Sequence, residues 1–431
     1  MTGRKSVVLK IFRDTIYVVL GKYGQFVVTI VTVPLCARTL GVQGTGLLAV
    51  AASAYFFGSA LVDFGLSQML AGRAARGEET KELRLAYVAL RSIVLSFLIV
   101  SLGIGIFTDA PDVLLLVLVG LFVGGLSSTG EEWILTGRGL FGRIAAYQMI
   151  GRIFYLAALL IILPVIPSPI TVMSCLAVSV VISSILSWTQ VRGFSRHRLH
   201  WVTLVDLLRL GAPSFFARTL TTSYGQGAAL IYSSVVSPHN LGLFSAGDKF
   251  VRATQSTLDA FAVALLPRIA SSLKRHNSMS IWSRAFTGAS VAFGLGSFAC
   301  IALWLSAPLI IGLFYGEGFA EAIPLLRIEA LVLPAAAYVS TVTTAVLYVL
   351  DDSRGVLYTA LAGLSGILVG IFIVVLTGDF RSMLVGVLAS EWGAAVFVTF
   401  RMLTLRSRDH RRKAPDLPDD VQSGGFAGSV V

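Results

Sequence analysis

Charged residues are scarce in this chain of 431 residues, at 13% of the sequence against about 25% in a typical soluble protein. Hydrophobic residues make up 55%, and the mean hydropathy is +0.82. The apolar residues form segments of about 20 residues, the length of a membrane-spanning helix. A transmembrane β-barrel would instead show alternating segments of about 10 residues. The sequence therefore predicts an all-α polytopic membrane protein and excludes a soluble globular domain.

Cysteine and histidine are also few, with three and five residues in the chain. Neither is spaced as in a zinc site or a disulfide framework. The sequence also has no Walker-type phosphate loop, no GxSxG elbow, no HExxH and no CxxC pair. We therefore predict no catalytic residue, no cofactor and no metal site. The net charge of +11 comes mainly from basic residues at segment ends, so we expect no nucleic-acid partner.

Twelve apolar segments are each long enough to cross a bilayer. They lie near residues 15–37, 45–71, 84–107, 112–136, 142–164, 169–191, 207–236, 241–267, 284–314, 322–350, 354–376 and 382–405. We therefore divide the chain into six-helix bundles at 15–191 and 207–405, joined by a cytoplasmic linker at 192–206. Residues 1–14 form a cytoplasmic lead, and the polar segment 406–431 is expected to be a disordered cytoplasmic tail.

The distribution of basic residues predicts the orientation in the membrane. Of the 34 basic residues, 25 lie in the two termini and one alternating set of loops, whereas the opposite loops hold two, Arg38 and Arg381. Cytoplasmic loops carry this excess. Both termini are therefore predicted to lie in the cytoplasm of a multi-pass protein of the cytoplasmic membrane.

The two halves of the chain also repeat each other weakly. A shift of 196 residues places Gly46 on Gly242 and Asp63 on Asp259. Since each half has an even number of spans, both halves insert in the same direction. We therefore predict two bundles related by a pseudo-twofold axis along the membrane normal.

Seven cationic residues lie inside the predicted spans, where a charge costs roughly 2.5–3.5 kcal/mol on insertion scales. Such a residue is retained where it faces protein or a water-filled cavity, so we predict a cationic cavity for an anionic cargo. Six of the seven are assigned to substrate binding: Arg152, Arg218, Lys249, Arg252, Lys22 and Arg91. The seventh, Arg327, is expected at the membrane interface together with Glu329.

Other roles stay open for several of these cations. Lys22 could extend to the cytoplasm, and Arg91 could reach the headgroups. Arg218 could form a structural ion pair with another span. Arg252 could pair with Asp248, because the two residues are separated by one helical turn.

Three carboxylates inside the spans are candidates for gating or coupling. Asp63 and Asp259 fall toward the predicted cytoplasmic ends of their spans, where they could hold that side closed by pairing with arginines or could carry protons. Glu391 lies deeper in the last span and is the candidate for coupling transport to an ion.

Several segments resemble Wzx-type polysaccharide flippases of the multidrug/oligosaccharidyl-lipid/polysaccharide exporter superfamily. In chain order they are ARTLGVQGTGL at 37–47, VDFGLS at 62–67, EWILTGR at 132–138, LGLFSA at 241–246, LFYGEGF at 313–319 and LLR at 325–327. Each motif is weak alone, but their order and spacing are moderately specific, and the resemblance covers roughly residues 10–405.

The resemblance implies a function that the composition does not show. Proteins of this family are similar in having two six-helix bundles around a cationic cavity. They move undecaprenyl-diphosphate-linked oligosaccharides from the cytoplasmic to the periplasmic leaflet by alternating access. The expected partners are the lipid-linked oligosaccharide, membrane lipids, and the polysaccharide polymerase and glycosyltransferases of the same synthesis.

Two rival functions are also open from the sequence. A drug or metabolite antiporter of the same architecture would couple transport to cations through deep carboxylates. A membrane glycosyltransferase or polymerase would place catalytic groups in a substantial external loop, whereas the outer loops here are all very short.

Overall fold

The protein is described by a computed structural model covering residues 2–76, 81–191, 201–274, 278–350 and 352–413. Within these residues the chain is almost entirely helical and has no strand. Nine stretches are long and apolar enough to cross a membrane: Val28–Asp63, Glu82–Phe107, Asp112–Gly137, Phe141–Ile162, Pro169–Thr189, Trp282–Phe314, Ala322–Leu347, Arg354–Thr377 and Phe380–Ser407. The predicted class of multi-pass membrane protein is thus confirmed.

The first half of the chain folds into one helical bundle, which we call the N-bundle. Its helices are α1 (Thr2–Asp63), α2 (Leu66–Ala75), α3 (Lys81–Phe107), α4 (Asp112–Ser127), α5 (Glu132–Gly137), α6 (Phe141–Ile162) and α7 (Pro169–Thr189). α1 packs on α4 and α6, and α7 packs on α4 and α6.

The second half forms the C-bundle. Its helices are α8 (Trp201–Tyr224), α9 (Ala228–Tyr232), α10 (Pro238–Lys274), α11 (Ser278–Phe314), α12 (Ala322–Glu329), α13 (Leu333–Val342), α14 (Ser353–Thr377) and α15 (Met383–Lys413). α10 packs on α11, α12 and α13, and α14 packs on α15. Short 3₁₀ turns lie at Glu317–Phe319, Ala330–Val332 and Phe380–Ser382, and a π-helical turn lies at Thr343–Leu347.

Glycine and left-handed residues set several helix boundaries differently from the prediction. The break predicted between the first two spans is confirmed, because α1 consists of two helices joined at Gly41, whose backbone is not helical (φ 66°, ψ −171°). The second span ends at Asp63 rather than 71, because Phe64 (φ 51°) and Gly65 (φ 70°) are left-handed. The seventh predicted span divides into α8 and α9 around Gly225–Gly227.

Two predicted spans, now α8 and α10, are not among the nine apolar stretches. α10 carries four charged residues within the predicted span: Asp248, Lys249, Arg252 and Asp259. α8 is interrupted by Pro213 and is rich in serine and threonine. In α8 the Thr221 and Ser223 hydroxyls donate to carbonyls of α8 itself. In α10 Arg252 pairs with Asp248 of the same helix and with Glu391 of α15. α15 also continues through Lys413, past the predicted boundary at 405, and residues 414–431 lie outside the described residues.

The closest approach between the bundles is a reciprocal contact between α1 and α10. A Cβ on Gly46 would collide with the carbonyl oxygen of Pro238, and a Cβ on Gly242 would collide with the carbonyl oxygen of Val42. The repeat of 196 residues relates Val42 to Pro238 and Gly46 to Gly242. Gly46 contacts Pro238, and its repeat equivalent Gly242 contacts Val42, which is the repeat equivalent of Pro238. A reciprocal contact of this kind is the signature of a local twofold axis. We call this the glycine contact.

Substituting either glycine with alanine is expected to weaken the glycine contact. The added methyl group would meet backbone atoms on both sides, and overpacking of this kind costs about 1–3 kcal/mol. Because the contact is reciprocal, Gly46→Ala and Gly242→Ala should lower the thermal unfolding midpoint in detergent by similar amounts.

Gly103→Ala is the matched control, because Gly103 is helical and a Cβ there meets nothing within 4 Å. This control should be neutral or stabilising, since alanine is the better helix former. A Gly46→Ala protein as stable as the control would show that the glycine contact does not hold the bundles together.

Candidate functional site

The N-bundle encloses a cavity of about 910 Å³, lined by residues of α1–α8 and their connections. Its charged lining residues are three arginines and two carboxylates: Arg91, Arg152, Arg218, Asp63 and Glu132. The lining therefore carries one net positive charge. Neutral polar and aromatic side chains form the rest, including serines of α4 and α7, Gln68, Gln148, Phe56 and Trp133. We call this space the N-bundle cavity.

Asp63 is the centre of a buried polar cluster at the end of α1. Its carboxylate accepts hydrogen bonds from the Ser67 hydroxyl, from the Tyr87 hydroxyl at 2.8 Å and from Arg218 Nη1 at 3.0 Å. Arg91 Nη2 lies 3.9 Å from the same carboxylate. Since Asp63 is only 4% exposed, these partners replace the water that it loses.

The Asp63–Arg218 pair joins the two bundles, because Asp63 ends α1 and Arg218 lies on α8. Beside it the rings of Phe64 and Phe215 stack with their centroids 4.7 Å apart. The structure therefore shows the ion pair between Arg218 and another span that the sequence analysis left as one possibility. The Arg218 side chain is still 47% exposed and lines the N-bundle cavity, so it also reaches the cavity space.

Arg91 is held by the protein and does not extend to the membrane surface. It is 3% exposed, donates from Nη1 to the Gly130 carbonyl at 3.0 Å and from Nη2 to Ser67 Oγ at 3.3 Å. Its guanidinium carbon lies 3.6 Å from the centroid of the Tyr87 ring, a cation–π contact. Arg91 therefore supplies a fixed positive charge on the wall of the N-bundle cavity.

Arg152 lies half-buried in the middle of α6 and lines the same cavity. The carboxylate that acts on it most strongly is Glu132, which begins α5. Glu132 Oε2 accepts hydrogen bonds from Gln148 Nε2 at 3.0 Å and from the Tyr147 hydroxyl at 3.4 Å. The compensating charge therefore comes from another helix.

Arg252 lies on α10 of the C-bundle and does not line the N-bundle cavity. Its Nε lies 3.1 Å from Asp248 Oδ1, and its Nη1 lies 2.9 Å from Gln255 Oε1 and 3.4 Å from Glu391 Oε1. The open possibility of an Asp248–Arg252 pair along the helix is therefore what the structure shows. Glu391, the predicted coupling residue, is 3% exposed and belongs to this same ionic network.

The remaining predicted site residues are dispersed. Lys249 is half-buried on α10, and the carboxylate beside it is that of Asp248, its neighbour in the chain. Asp259 lies one turn or more farther along α10 and acts electrostatically on Glu391. Neither lines the N-bundle cavity. The side chain of Lys22 lies outside the described residues, so its predicted role stays a prediction.

The structure corrects the predicted position of Glu329, which the sequence analysis placed at the membrane interface with Arg327. Glu329 is fully buried, and neither carboxylate oxygen has a hydrogen-bond partner within the described residues. Arg327 does face outward, with its guanidinium 4.6 Å from the Trp304 ring centroid. Two helical positions separate these residues, which turns them by about 200° to opposite faces of α12. Asp248 is the charged group that acts on Glu329 most strongly.

The serines of the N-bundle cavity are the lining residues that the sequence analysis missed. Ser179, Ser183 and Ser187 recur every four residues on α7, so they share one face of the helix. That spacing could have identified a polar face on a helix with no charged residue. Among the described residues, no group of three or more histidines, cysteines or acids could hold a metal ion.

Comparison with known proteins decides the family. The family model described as polysaccharide biosynthesis protein matches residues 11–273, which is more than half of the chain. The chain belongs to this family. No curated protein matches the chain. The resemblance to polysaccharide flippases that the motifs indicated is thereby confirmed.

Solved structures of transporters share the fold of this family member. The inward-facing conformation of a multidrug resistance MATE family transporter of the MOP superfamily gives a TM-score of 0.69 at 16% identity, covering 89% of this chain and 96% of that chain. Its outward-facing conformation gives 0.57 at 16% identity, covering 93% and 96%. The predicted fold of twelve helices in two bundles is confirmed by this likeness.

A MOP superfamily transporter from Pyrococcus furiosus is also similar, with a TM-score of 0.56 at 16% identity over 92% of this chain and 95% of that chain. Its description says that the reverse polarity of its binding pocket suggests a different function. At these identities the likeness concerns the fold alone.

The Asp63 cluster yields a stability prediction. Asp63→Asn leaves two arginines without their carboxylate, and removing one partner of a buried ion pair costs about 3–5 kcal/mol. We expect a correspondingly large fall in the free energy of unfolding, measured by thermal or denaturant unfolding in detergent. Arg218→Ala should cost less, because Arg218 is half-exposed.

Asp112→Asn is the control, since Asp112 is exposed at the start of α4 and should contribute less than about 1 kcal/mol. Equal stability of the Asp63→Asn and Asp112→Asn proteins would show that the cluster does not stabilise the fold.

Proposed function

We propose that the protein is a flippase that moves an undecaprenyl-diphosphate-linked oligosaccharide across the cytoplasmic membrane during polysaccharide biosynthesis. The observation that supports this most directly is the N-bundle cavity, with Arg91, Arg152 and Arg218 on its walls. A space of about 910 Å³ is large enough for a group of several rings. Its net positive charge suits an anionic cargo.

The diphosphate is the part of the cargo that arginines would bind. A guanidinium presents a planar fork of donors that matches phosphate oxygens, and charge-assisted hydrogen bonds of this kind are strong. In our proposal Arg152 and Arg218 contact the diphosphate, while Arg91 contributes its fixed charge. The polyprenyl chain stays in the bilayer, alongside the exposed apolar residues of the outer helix faces.

Alternating access requires two contacts between the bundles, of which one opens while the other stays closed. Two such contacts lie at opposite ends of the second half of α1, with the glycine contact at one end and the Asp63–Arg218 pair at the other. In our proposal the glycine contact closes the outer side and the ion pair closes the cytoplasmic side. A diphosphate that reaches Arg218 competes with the Asp63 carboxylate, so cargo binding itself weakens the cytoplasmic closure.

The flippase proposal predicts that Arg152→Ala strongly lowers transport at cargo concentrations below saturation. The test is translocation of a fluorescent undecaprenyl-diphosphate-linked sugar in proteoliposomes that contain the purified protein. Losing a charge-assisted contact of about 1.5–3 kcal/mol should lower cargo affinity by about 10- to 100-fold.

Arg143→Ala is the matched control, because Arg143 is exposed near the start of the same helix and does not line the cavity. Undiminished transport by Arg152→Ala protein, at normal protein levels, would count decisively against this use of the N-bundle cavity.

A cation-coupled antiporter is the second candidate, and the C-bundle supplies the observation in its favour. Three carboxylates, Asp248, Glu329 and Glu391, lie around the single arginine Arg252. Glu329 has no hydrogen-bond partner within the described residues, although it is fully buried. A buried carboxylate of this kind is suited to carry a proton or to bind a small cation.

The two candidate functions differ in whether a sodium or proton gradient drives export of an organic cation. An antiporter would export an organic cation such as ethidium in exchange for sodium or protons. Glu329→Gln would abolish that export, whereas Glu317→Gln, at an exposed turn, would not. Under the flippase proposal we expect no gradient-driven ethidium export from wild-type proteoliposomes. Export that depends on Glu329 would therefore favour the antiporter.

A further inference from the structure

One wall of the N-bundle cavity is neutral and rich in hydroxyl groups. It consists of six serines of α4, its C-terminal connection and α7, which we call the hydroxyl wall: Ser127, Ser128, Ser179, Ser183, Ser184 and Ser187. α7 has no charged residue, and α4 has none after Asp112. The charged lining residues all come from other elements. The N-bundle cavity therefore has a polar side without charge and a separate side with arginines.

Most hydroxyl protons of this wall are already used within the protein. Ser127 Oγ donates to the Gly124 carbonyl at 2.6 Å, Ser179 Oγ to the Gly151 carbonyl at 2.7 Å, and Ser187 Oγ to the Ser184 carbonyl at 2.7 Å. A hydroxyl oxygen that donates its proton keeps lone pairs that accept hydrogen bonds. The wall therefore presents acceptors more than donors.

Ser183 differs from its neighbours. Its side chain is half-buried, lines the cavity, and makes no hydrogen bond to any residue that the structure describes. The hydroxyl lies directly over Gly151, where a Cβ would displace it. Gly151 precedes Arg152 on α6, and Ser183 and Arg152 line the same cavity, so an unused donor and acceptor shares that space with the arginine that the proposed function assigns to the diphosphate.

We infer that the hydroxyl wall binds the sugar part of the cargo, with Ser183 as its main hydrogen-bonding residue. This inference rests on the proposed flippase function and adds how the cargo is oriented. Sugar hydroxyls are neutral donors, which is what a wall of uncharged acceptors pairs with. A phosphate, which offers acceptors, belongs on the arginine side.

The dimensions of the wall agree with an extended sugar segment. Ser179 and Ser187 are eight residues apart on one helix, which corresponds to about 12 Å along its axis. Ser179 donates to Gly151, beside Arg152, and Ser187 Oγ accepts from the backbone N–H of Glu131 at 3.0 Å. The sugar linked to the diphosphate therefore lies near Ser183, and further sugars extend toward Ser187.

The hydroxyl wall could also serve helix packing alone, since serines often do so in membrane helices. Ser179 and Ser187 do link helices in this way. Hydrogen bonding between helices does not account for Ser183, because its hydroxyl makes no hydrogen bond to any residue that the structure describes. Replacing it by alanine should leave stability unchanged, and any effect on binding would come from the ligand.

The test measures the affinity of the purified full-length protein in detergent for sugar-free and sugar-bearing lipids. The sugar-free lipid is undecaprenyl diphosphate, and the sugar-bearing lipids are the same molecule carrying N-acetylglucosamine, glucose or galactose. We expect wild-type protein to bind at least one sugar-bearing lipid more tightly than the sugar-free lipid. Ser183→Ala should weaken binding of that lipid by about 3- to 10-fold, the effect of one hydrogen bond, and leave the sugar-free affinity unchanged.

Two further variants make the result specific. Gly151→Ala should reproduce the Ser183→Ala effect, because the new methyl group displaces the Ser183 hydroxyl. Ser174→Ala is the matched control, since Ser174 lies on the same helix but is exposed and does not line the cavity. It should leave both affinities at the wild-type values.

The outcomes separate this inference from the function on which it rests. Equal wild-type affinity for sugar-free and sugar-bearing lipids, or a Ser183→Ala protein that loses neither or both affinities, overturns the hydroxyl wall as a sugar site while the flippase stands. Wild-type protein that binds no lipid diphosphate overturns the flippase proposal, and the sugar site falls with it.

Discussion

A charged side chain on a membrane-spanning helix must meet either protein partners or water, and this constraint organises the interior of both bundles. The chain meets it in three ways. Asp63 gathers Arg91 and Arg218 with hydroxyl groups at the end of α1. Arg252 lies between Asp248 and Glu391. Arg152 lies beside a cavity and takes its compensating charge from a separate helix. The third arrangement and the exposed part of Arg218 each place a guanidinium on the wall of the N-bundle cavity.

The two bundles share a framework but carry different chemistry. The second half of α1 is the repeat equivalent of α10, and the glycine contact brings Gly46 and Gly242 together across a local twofold axis. Close approach there depends on the absence of side chains, because a Cβ on either residue would meet backbone atoms. Away from the contact the equivalence ends, because Asp63 joins the bundles whereas its equivalent Asp259 acts on Glu391 inside the C-bundle. The shared helices thus position a cavity in one bundle and a closed ionic network in the other.

Much of the architecture was predictable because it follows from local chemistry along the chain. Apolar segment length identified the spans, and the repeat of 196 residues identified the equivalence of Gly46 and Gly242. The one-turn spacing of Asp248 and Arg252 indicated their pair. Boundaries were less predictable where backbone conformation departs from the helix, as at Phe64 and Gly65, since a left-handed phenylalanine has no sequence signature. α8 and α10 also fail a simple hydropathy criterion because of their charged and polar residues, of which Arg252 pairs with Asp248 on the same helix and with Glu391 on α15.

The sequence by itself determined that this is a helical membrane protein of two repeated halves whose apolar spans contain charged residues of both signs. These properties depend on composition and periodicity, which act over a few residues. Only the tertiary structure decided which charges face which space. It buried Glu329 and placed Arg327, half-buried against Trp304, on the opposite face of α12, and it separated Arg152 from Arg252 although both lie within spans. Helix rotation and packing set the environment of a side chain, and both depend on residues hundreds of positions away in the chain.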